Sequence, residues 1–281
     1  MRTRSRCFSR RRFLATGSAG AAGLLFGGCD RLSAAPTFRE FLAGAEGLTQ
    51  RVQRALLWRG ALAREYSVAD ISKVFRANGS QDAYNLPPAY IERAANDFPG
   101  WSLQVDGFVM RPTSFTLAAL RALPARTQIT RHDCVEGWSC IGGWTGPQLS
   151  TVLNEVGLRP EARFIVFHCA DELPRYVDGA NRFYESIDLV DAFHPQTILA
   201  YDMNDAPLPV PHGAPLRLRV ERQLGYKMAK FLTRIEVVDR FDSIGRGHGG
   251  TWEDDGYEWY ARDLSESLLR LRAVALYSGA A

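Results

Sequence analysis

The stretch Thr130-Arg131-His132-Asp133-Cys134-Val135-Glu136-Gly137-Trp138-Ser139-Cys140-Ile141-Gly142-Gly143-Trp144-Thr145-Gly146 organises the reading of the whole chain. His132, Asp133 and Cys134 place three metal- or proton-binding groups side by side, and two tryptophans and four glycines follow within a dozen residues. Glycines take backbone conformations closed to other residues and allow close approach to a large ligand. A thiolate is a soft, strong metal ligand. Two readings stand: a tight turn around a buried free cysteine, or a loop that presents a thiolate to a metal. Taken alone the stretch favours the turn, and the rest of the chain favours the metal.

The chain has 281 residues, 46% hydrophobic and 23% charged, the make-up of an ordinary globular protein with a full core. No apolar run is long enough to span a membrane as a helix. Ser9-Arg10-Arg11-Arg12-Phe13-Leu14 reads as a twin-arginine export signal, followed by a short Gly/Ala-rich apolar core from Phe13 to Gly28. A basic arm for nucleic acid is the weaker reading, because the apolar run follows the arginines at once. Small residues before Cys29 resemble a bacterial lipoprotein cleavage site, from which Phe26 departs. Two addresses follow: lipid at Cys29 anchoring the chain to the inner membrane, or a soluble periplasmic protein. Residues 1–28 carry six arginines and no acid, so their removal turns the net charge from +3 to −3. That charge leaves no basic patch for nucleic acid. Of five cysteines, Cys134, Cys140 and Cys169 remain beyond Cys29, an odd number in an oxidising compartment. At least one is then free, metal-bound or paired with another molecule.

Apolar spacing from Phe38 to Arg64 predicts one or two helices, and Ser67 to Asn96 reads as loop. From Trp101 the texture changes to short strands: Trp101–Val109, Thr127–Thr130, Phe164–Cys169, Tyr184–Leu189, Thr197–Tyr201, Leu216–Val220 and Phe231–Val238. Thr116–Leu123 and Gln148–Val156 read as short helices. Many strands with few helices and no βαβ alternation indicate an α+β fold of mixed sheets with short helices. Gly245-Arg246-Gly247-His248-Gly249-Gly250 lacks the Lys-Ser/Thr of a phosphate-binding loop and reads as a surface loop.

A second cluster runs from Tyr201 through Pro-Leu-Pro to His212-Gly213-Ala214-Pro215-Leu216-Arg217-Leu218-Arg219-Val220, and on to Gly225-Tyr226-Lys227-Met228-Ala229-Lys230. Strict alternation puts Arg217 and Arg219 on one strand face. Four cations near one loop, with small residues exposing backbone N–H groups, suit a phosphate. A solvated edge strand is the other reading.

Together these stretches resemble the sulfite oxidase family of molybdopterin-dependent oxidoreductases, closest to its exported haem-free bacterial members, over roughly Trp101 to Tyr260. The resemblance implies a sulfite-oxidase-type molybdopterin-binding fold and Mo-molybdopterin as cofactor. Cys134 is then the catalytic thiolate ligand of molybdenum. His212, Arg217, Met228, Ala229 and Lys230 fall where the family holds the pterin and its phosphate. Cys169 falls where a cofactor-contacting residue stands, and Asn78 at an asparagine of the N-terminal segment. The implied organisation is a signal peptide at 1–29, a helical segment packed on the body at 30–95, a molybdopterin-binding domain at 96–262 and a C-terminal helix or tail at 263–281. The implied function is oxygen-atom or two-electron transfer on a small sulfur-containing or related substrate. Its partners are a separate redox protein, since no haem motif such as C-x-x-C-H occurs, and the twin-arginine translocase. A non-catalytic exported binding protein that keeps the fold without metal is the rival. A zinc site of His132, Cys134 and Cys140 is weaker, because the spacing is unusual for zinc. Arg219 shares the face of Arg217 without a family role.

Overall fold

Phe164-Ile-Val-Phe opens strand β5 (Phe164–Glu172), and Ile165, Val166 and Phe167 are fully buried there. Such a continuous apolar run suits a strand covered on both faces. The structure, a computed structural model, describes residues 60–80, 86–172 and 182–260, all within one compact unit, Leu57–Ala281. The export signal, the helices expected before residue 60 and the tail at 263–281 lie outside the described residues.

Strand β5 sits inside a five-stranded sheet. It pairs antiparallel with β6 (Arg182–Asp188) on one side and β11 (Leu232–Val238) on the other. Strand β11 runs parallel to β1 (Ser102–Gly107), and β2 (Thr113–Thr116) closes that edge. Side chains of β1, β5 and β11 meet helix α3 (Leu149–Val156) in the main core. The helix turns Leu149, Val152, Leu153 and Val156 inward, all fully buried. Each contributes roughly 1.5–3 kcal/mol by leaving water. Gly157, at φ 67°, ends the helix. Helix α2 (Leu117–Ala122) starts where the Thr116 hydroxyl accepts the Ala119 N–H at 3.1 Å.

Strands β3 (Ala125–Asp133) and β4 (Ser139–Pro147) form a long hairpin, paired from Ala125↔Pro147 to Asp133↔Ser139. The short strands β8 (Asp202–Met203) and β9 (Ala206–Pro207) extend that sheet, and β10 (Arg217–Val220) pairs with β7 (Thr197–Ala200). The sequence reading stopped the first of these strands at Thr130 and left the glycines after Cys140 in a loop. They are strand residues instead, and close packing explains them. A Cβ on Gly146 would lie 1.9 Å from the Leu199 carbonyl oxygen, and one on Gly142 would lie 3.0 Å from the Phe75 ring.

Two further expectations change. Residues 88–94, read as loop, form helix α1 (Pro88–Ala94). Proline suits a first helical turn, and Tyr90 anchors the helix between Phe98 and Phe231, at ring centroid separations of 5.3 and 5.4 Å. Residues 60–64, expected to end a helix, take a turn and extended chain. Gln196 holds that chain by accepting from Ala63 N–H at 2.8 Å and donating to Ala63 O at 3.0 Å.

Candidate functional site

Cys134 occupies the turn that joins β3 to β4. Its N–H donates to Trp138 O and its carbonyl accepts from Gly137, both at 3.0 Å. The turn and the presented thiol are therefore the same object. Cys134 is half-buried and faces a cavity of about 160 Å³. Asn78, Cys134, His212, Arg217, Met228, Ala229 and Lys230, seven of the eight residues singled out in the sequence, line this cavity. Cys169 does not: it is fully buried in the main core, opposite Leu232.

Three other segments complete the walls. The single turn Val210–His212 ends at Gly213 with φ 107°, where a Cβ would strike Lys230 Cβ at 2.8 Å. The turn Gly225–Lys227 leads into Met228-Ala229-Lys230. Residues 75–80 cross from the N-terminal side and put the Asn78 side-chain amide 3.5 Å from Cys134 Sγ, as donor.

Strand β10 is not a solvated edge, for all four of its residues are buried. The four cations of this cluster divide into two kinds. Arg219 is fully buried and donates to both oxygens of Glu221, at 2.9 and 2.6 Å. Lys227 is buried between Glu185 and Glu253, away from the cavity. Arg217 and Lys230 line the cavity. Arg217 donates only to the carbonyls of His212 (2.9 Å) and Met228 (3.4 Å), and its buried Nε has no partner. Burial and the Arg219 charge push the Arg217 guanidinium down to about 9. Lys230 donates to the carbonyls of Asn78, Ser80 and Pro211 at 2.7, 2.5 and 3.0 Å. Burial, with Arg217 adding to it, brings its ammonium down to about 7. Two cations of depressed pKa, Arg217 buried and Lys230 half-buried, face one cavity, a condition that an anion relieves.

His132 sits between the Phe75 and Trp138 rings, at 5.7 and 5.8 Å. Arg219 donates to its Nδ1 at 3.0 Å. The Met228 sulfur lies 3.2 Å from the same Nδ1. Burial first, then the nearby arginines, holds this imidazole neutral. His212 is likewise kept neutral, down to about 4, by burial and by Arg217 and Lys230. Neutral histidines add no further charge to a wall already cationic.

Sequence reasoning missed Ser80 and Asp171. The Ser80 hydroxyl donates to Asp171 Oδ2 at 2.7 Å, while Oδ1 is buried without a partner. Burial raises the Asp171 carboxyl to about 6. Nothing local in the sequence marks this pair, which is 91 residues apart. Arg131 and Asp133 form an ion pair at 2.8 Å, and Arg222 is buried 3.9 Å from Asp191. Neither arginine is among the cavity-lining residues. Among the described residues no group of three His, Cys, Asp or Glu side chains is disposed to hold a metal, so the zinc reading of His132, Cys134 and Cys140 has no geometry behind it.

The residues fit a molybdenum–pterin cofactor that takes one protein thiolate better than an all-protein metal site. One thiol, that of Cys134, lines the cavity, and the buried Nε of Arg217, another lining residue, has no partner.

YedZ1 of Azospira oryzae, which carries the name of a protein-methionine-sulfoxide reductase subunit, is 39% identical over 164 residues, 58% of this chain and 56% of that protein. The methionine-sulfoxide reductase catalytic subunit MsrP of Xanthomonas campestris pv. campestris is 33% identical over 147 residues, 50% of this chain and 45% of that protein. The chain spans about half the length of the curated relatives it matches. The crystal structure of the sulfane dehydrogenase SoxCD from Paracoccus pantotrophus aligns with 50% of this chain and 38% of that one, at TM-score 0.43 and 22% identity. The model of the oxidoreductase molybdopterin binding domain matches residues 91–243, more than half of the chain, and this protein belongs to that family.

Proposed function

We propose that this chain is the molybdenum-bearing part of an exported oxidoreductase that reduces sulfoxide groups, drawing its electrons from a separate redox protein. The observation that carries the reading is that Cys134 shares one cavity with Arg217, a buried cation whose Nε has no partner, and with Lys230, a half-buried cation bonded to backbone carbonyls. Molybdopterin, when bound, supplies a two-electron metal centre and the anionic phosphate that these cations lack. Cys134 is the thiolate ligand. Arg217 and Lys230 take the phosphate end, with His212, Met228 and Ala229 along the pterin, and Asn78 donates to the Cys134 sulfur. Cys169, in the core, packs behind the cavity rather than touching the cofactor.

The substrate side is rich in aromatic rings. Trp138, Tyr226, Trp252 and Tyr257 line the cavity together with the Cys134 turn. Aromatic faces and edges suit a polarisable sulfur. A sulfoxide takes up two electrons and two protons and leaves as a thioether and water. The names of the relatives point to the same substrate class.

The address is part of the reading. The Ser9–Leu14 signal sends the chain through the twin-arginine translocase to the periplasm, and Cys29 is a candidate lipid anchor. Among the described residues no helix is long and apolar enough to cross a membrane.

The test is the full chain made in a molybdopterin-competent host and assayed with methionine sulfoxide, free and in peptides, and with sulfite. Sulfoxide-dependent oxidation of a reduced dye, in proportion to bound molybdenum, is expected. Sulfite oxidation without sulfoxide reduction overturns the direction, and a chain that binds no molybdenum overturns the reading. For the address, Arg10→Lys with Arg11→Lys leaves precursor in the cytoplasm. A palmitate label lost in Cys29→Ala marks the anchor, and its absence in the wild type leaves a soluble periplasmic protein.

A further inference from the structure

Residues 75–80 form a strap that is tied at both ends. At one end the Phe75 ring sits against Trp144 and His212, with ring centroids 5.4 and 5.5 Å away. At the other end Ser80, itself buried, is held twice: its hydroxyl donates to Asp171 Oδ2 at 2.7 Å, and its carbonyl accepts from Lys230 Nζ at 2.5 Å. Between these ties Arg76 lies over the Trp138 ring at 5.3 Å. Asn78 is bound on both sides, its carbonyl to Lys230 at 2.7 Å and its amide to Cys134 Sγ at 3.5 Å. A continuous path of polar contacts therefore runs from Asp171 through Ser80, Lys230 and Asn78 to the sulfur.

Within the strap, the Asn78 side chain also hydrogen-bonds Glu136, and Gly79 is the flexible point. Gly79 has φ 68° and open space around it, so the backbone between Asn78 and Ser80 keeps its freedom unless its far end is fixed. A fixed Ser80 limits that freedom and, through the Lys230 Nζ that it shares with the Asn78 carbonyl, helps keep the Asn78 amide aimed at the sulfur. A hydrogen bond to a ligating thiolate withdraws electron density from it and raises the potential of the metal behind it.

We propose that Ser80 and Asp171 are positioning residues: they pin the strap 75–80 so that the Asn78 amide donates to Cys134 Sγ, and through that bond they tune the metal that Cys134 ligates. This rests on the proposed role of Cys134 as molybdenum ligand. Neither Ser80 nor Asp171 touches the sulfur, and both act through Asn78.

The experiment uses the full chain loaded with molybdenum, as wild type, Ser80→Ala, Asp171→Ala, and the conservative pair Ser80→Thr and Asp171→Asn. Threonine keeps the hydroxyl, and asparagine keeps an oxygen to accept it. Three quantities are read: the Mo(V) paramagnetic signal, the midpoint potential per bound molybdenum, and amide hydrogen exchange across 75–80. Both alanine variants are expected to change the signal, lower the potential and speed exchange of the strap by about tenfold or more, as local opening becomes easier. The Thr and Asn variants return all three toward wild type. Wild-type signal and potential in both alanine variants overturn the inference, and so does a Thr or Asn variant as altered as its alanine counterpart. Exchange separates this result from failure of the functional reading. If the wild type binds no molybdenum, that reading fails, and unchanged exchange in Ser80→Ala then overturns the strap as well.

Discussion

Arg217 and Arg219 lie over the same indole, 4.8 and 4.2 Å from the Trp144 ring centroid, yet only Arg219 has a carboxylate partner. One strand face thus carries a structural cation and a binding cation two residues apart. Arg217→Ala leaves the fold compact and the phosphate partly unpaired, at a cost of roughly 1.5–3 kcal/mol, about ten- to a hundred-fold in cofactor affinity. Arg219 is no control for it. Arg219→Ala strands Glu221 as a buried charge and costs about 3–5 kcal/mol of stability. The exposed Arg240 serves as the control instead. Molybdenum content and thermal midpoint of the three alanine variants check this, and full molybdenum in Arg217→Ala removes the phosphate assignment.

Cys134→Ser removes the soft ligand and leaves the turn, because the turn is made by backbone bonds to Gly137 and Trp138. The variant is expected to unfold within about 1 kcal/mol of wild type, in the range of partly exposed substitutions. It loses activity and the thiolate signature in the Mo(V) signal. Wild-type turnover in this variant ends the assignment of Cys134.

Lys230 gives the cofactor-free chain a stability that depends on pH. Its folded pKa is about 7, against about 10.4 in an unfolded chain. Between these values the unfolded state binds more protons, so stability rises with pH. The same sign holds for His212 only between about 4 and 6.5, below the window used. Arg217, at about 9, sets the upper limit of that window. Thermal midpoints at pH 7, 8 and 9 are expected to climb in the wild type and to stay flatter in Lys230→Met. A bound phosphate keeps the ammonium charged, so the cofactor-loaded chain also loses the climb. Equal slopes in wild type and Lys230→Met contradict the lowered pKa of this ammonium.

Gly225 is held by sterics rather than by its backbone angle. A Cβ there would lie 2.4 Å from His132 Nε2 and 3.2 Å from the Asp133 carbonyl oxygen. Gly225→Ala has to push an imidazole that Arg219 fixes from the other side, which costs about 1–3 kcal/mol as overpacking. Both the thermal midpoint and molybdenum uptake are expected to fall. A variant as stable as wild type, with full molybdenum, shows that the imidazole has room to move.

Local patterns in the sequence carried strands β1, β5, β6, β7, β10 and β11, the first half of β3, the short helix that Gly157 ends, and the thiol of Cys134, because periodicity and turn chemistry act within a few residues. The family motifs carried seven of the cavity-lining residues for a related reason: each motif is a contiguous segment that keeps its residues together in the fold. What sequence could not reach was set by contacts across the chain. The glycines after Cys140 look like loop residues until Leu199 and Phe75 are seen against them. Arg217, Arg219, Lys227 and Lys230 look like one cationic cluster until Glu221, Glu185 and Glu253 are found beside two of the four. Asp171 and Ser80 have no local signature, and only their meeting gives either a role. Charge and packing are properties of neighbours in space, and these neighbours come from strands and turns far apart along the chain.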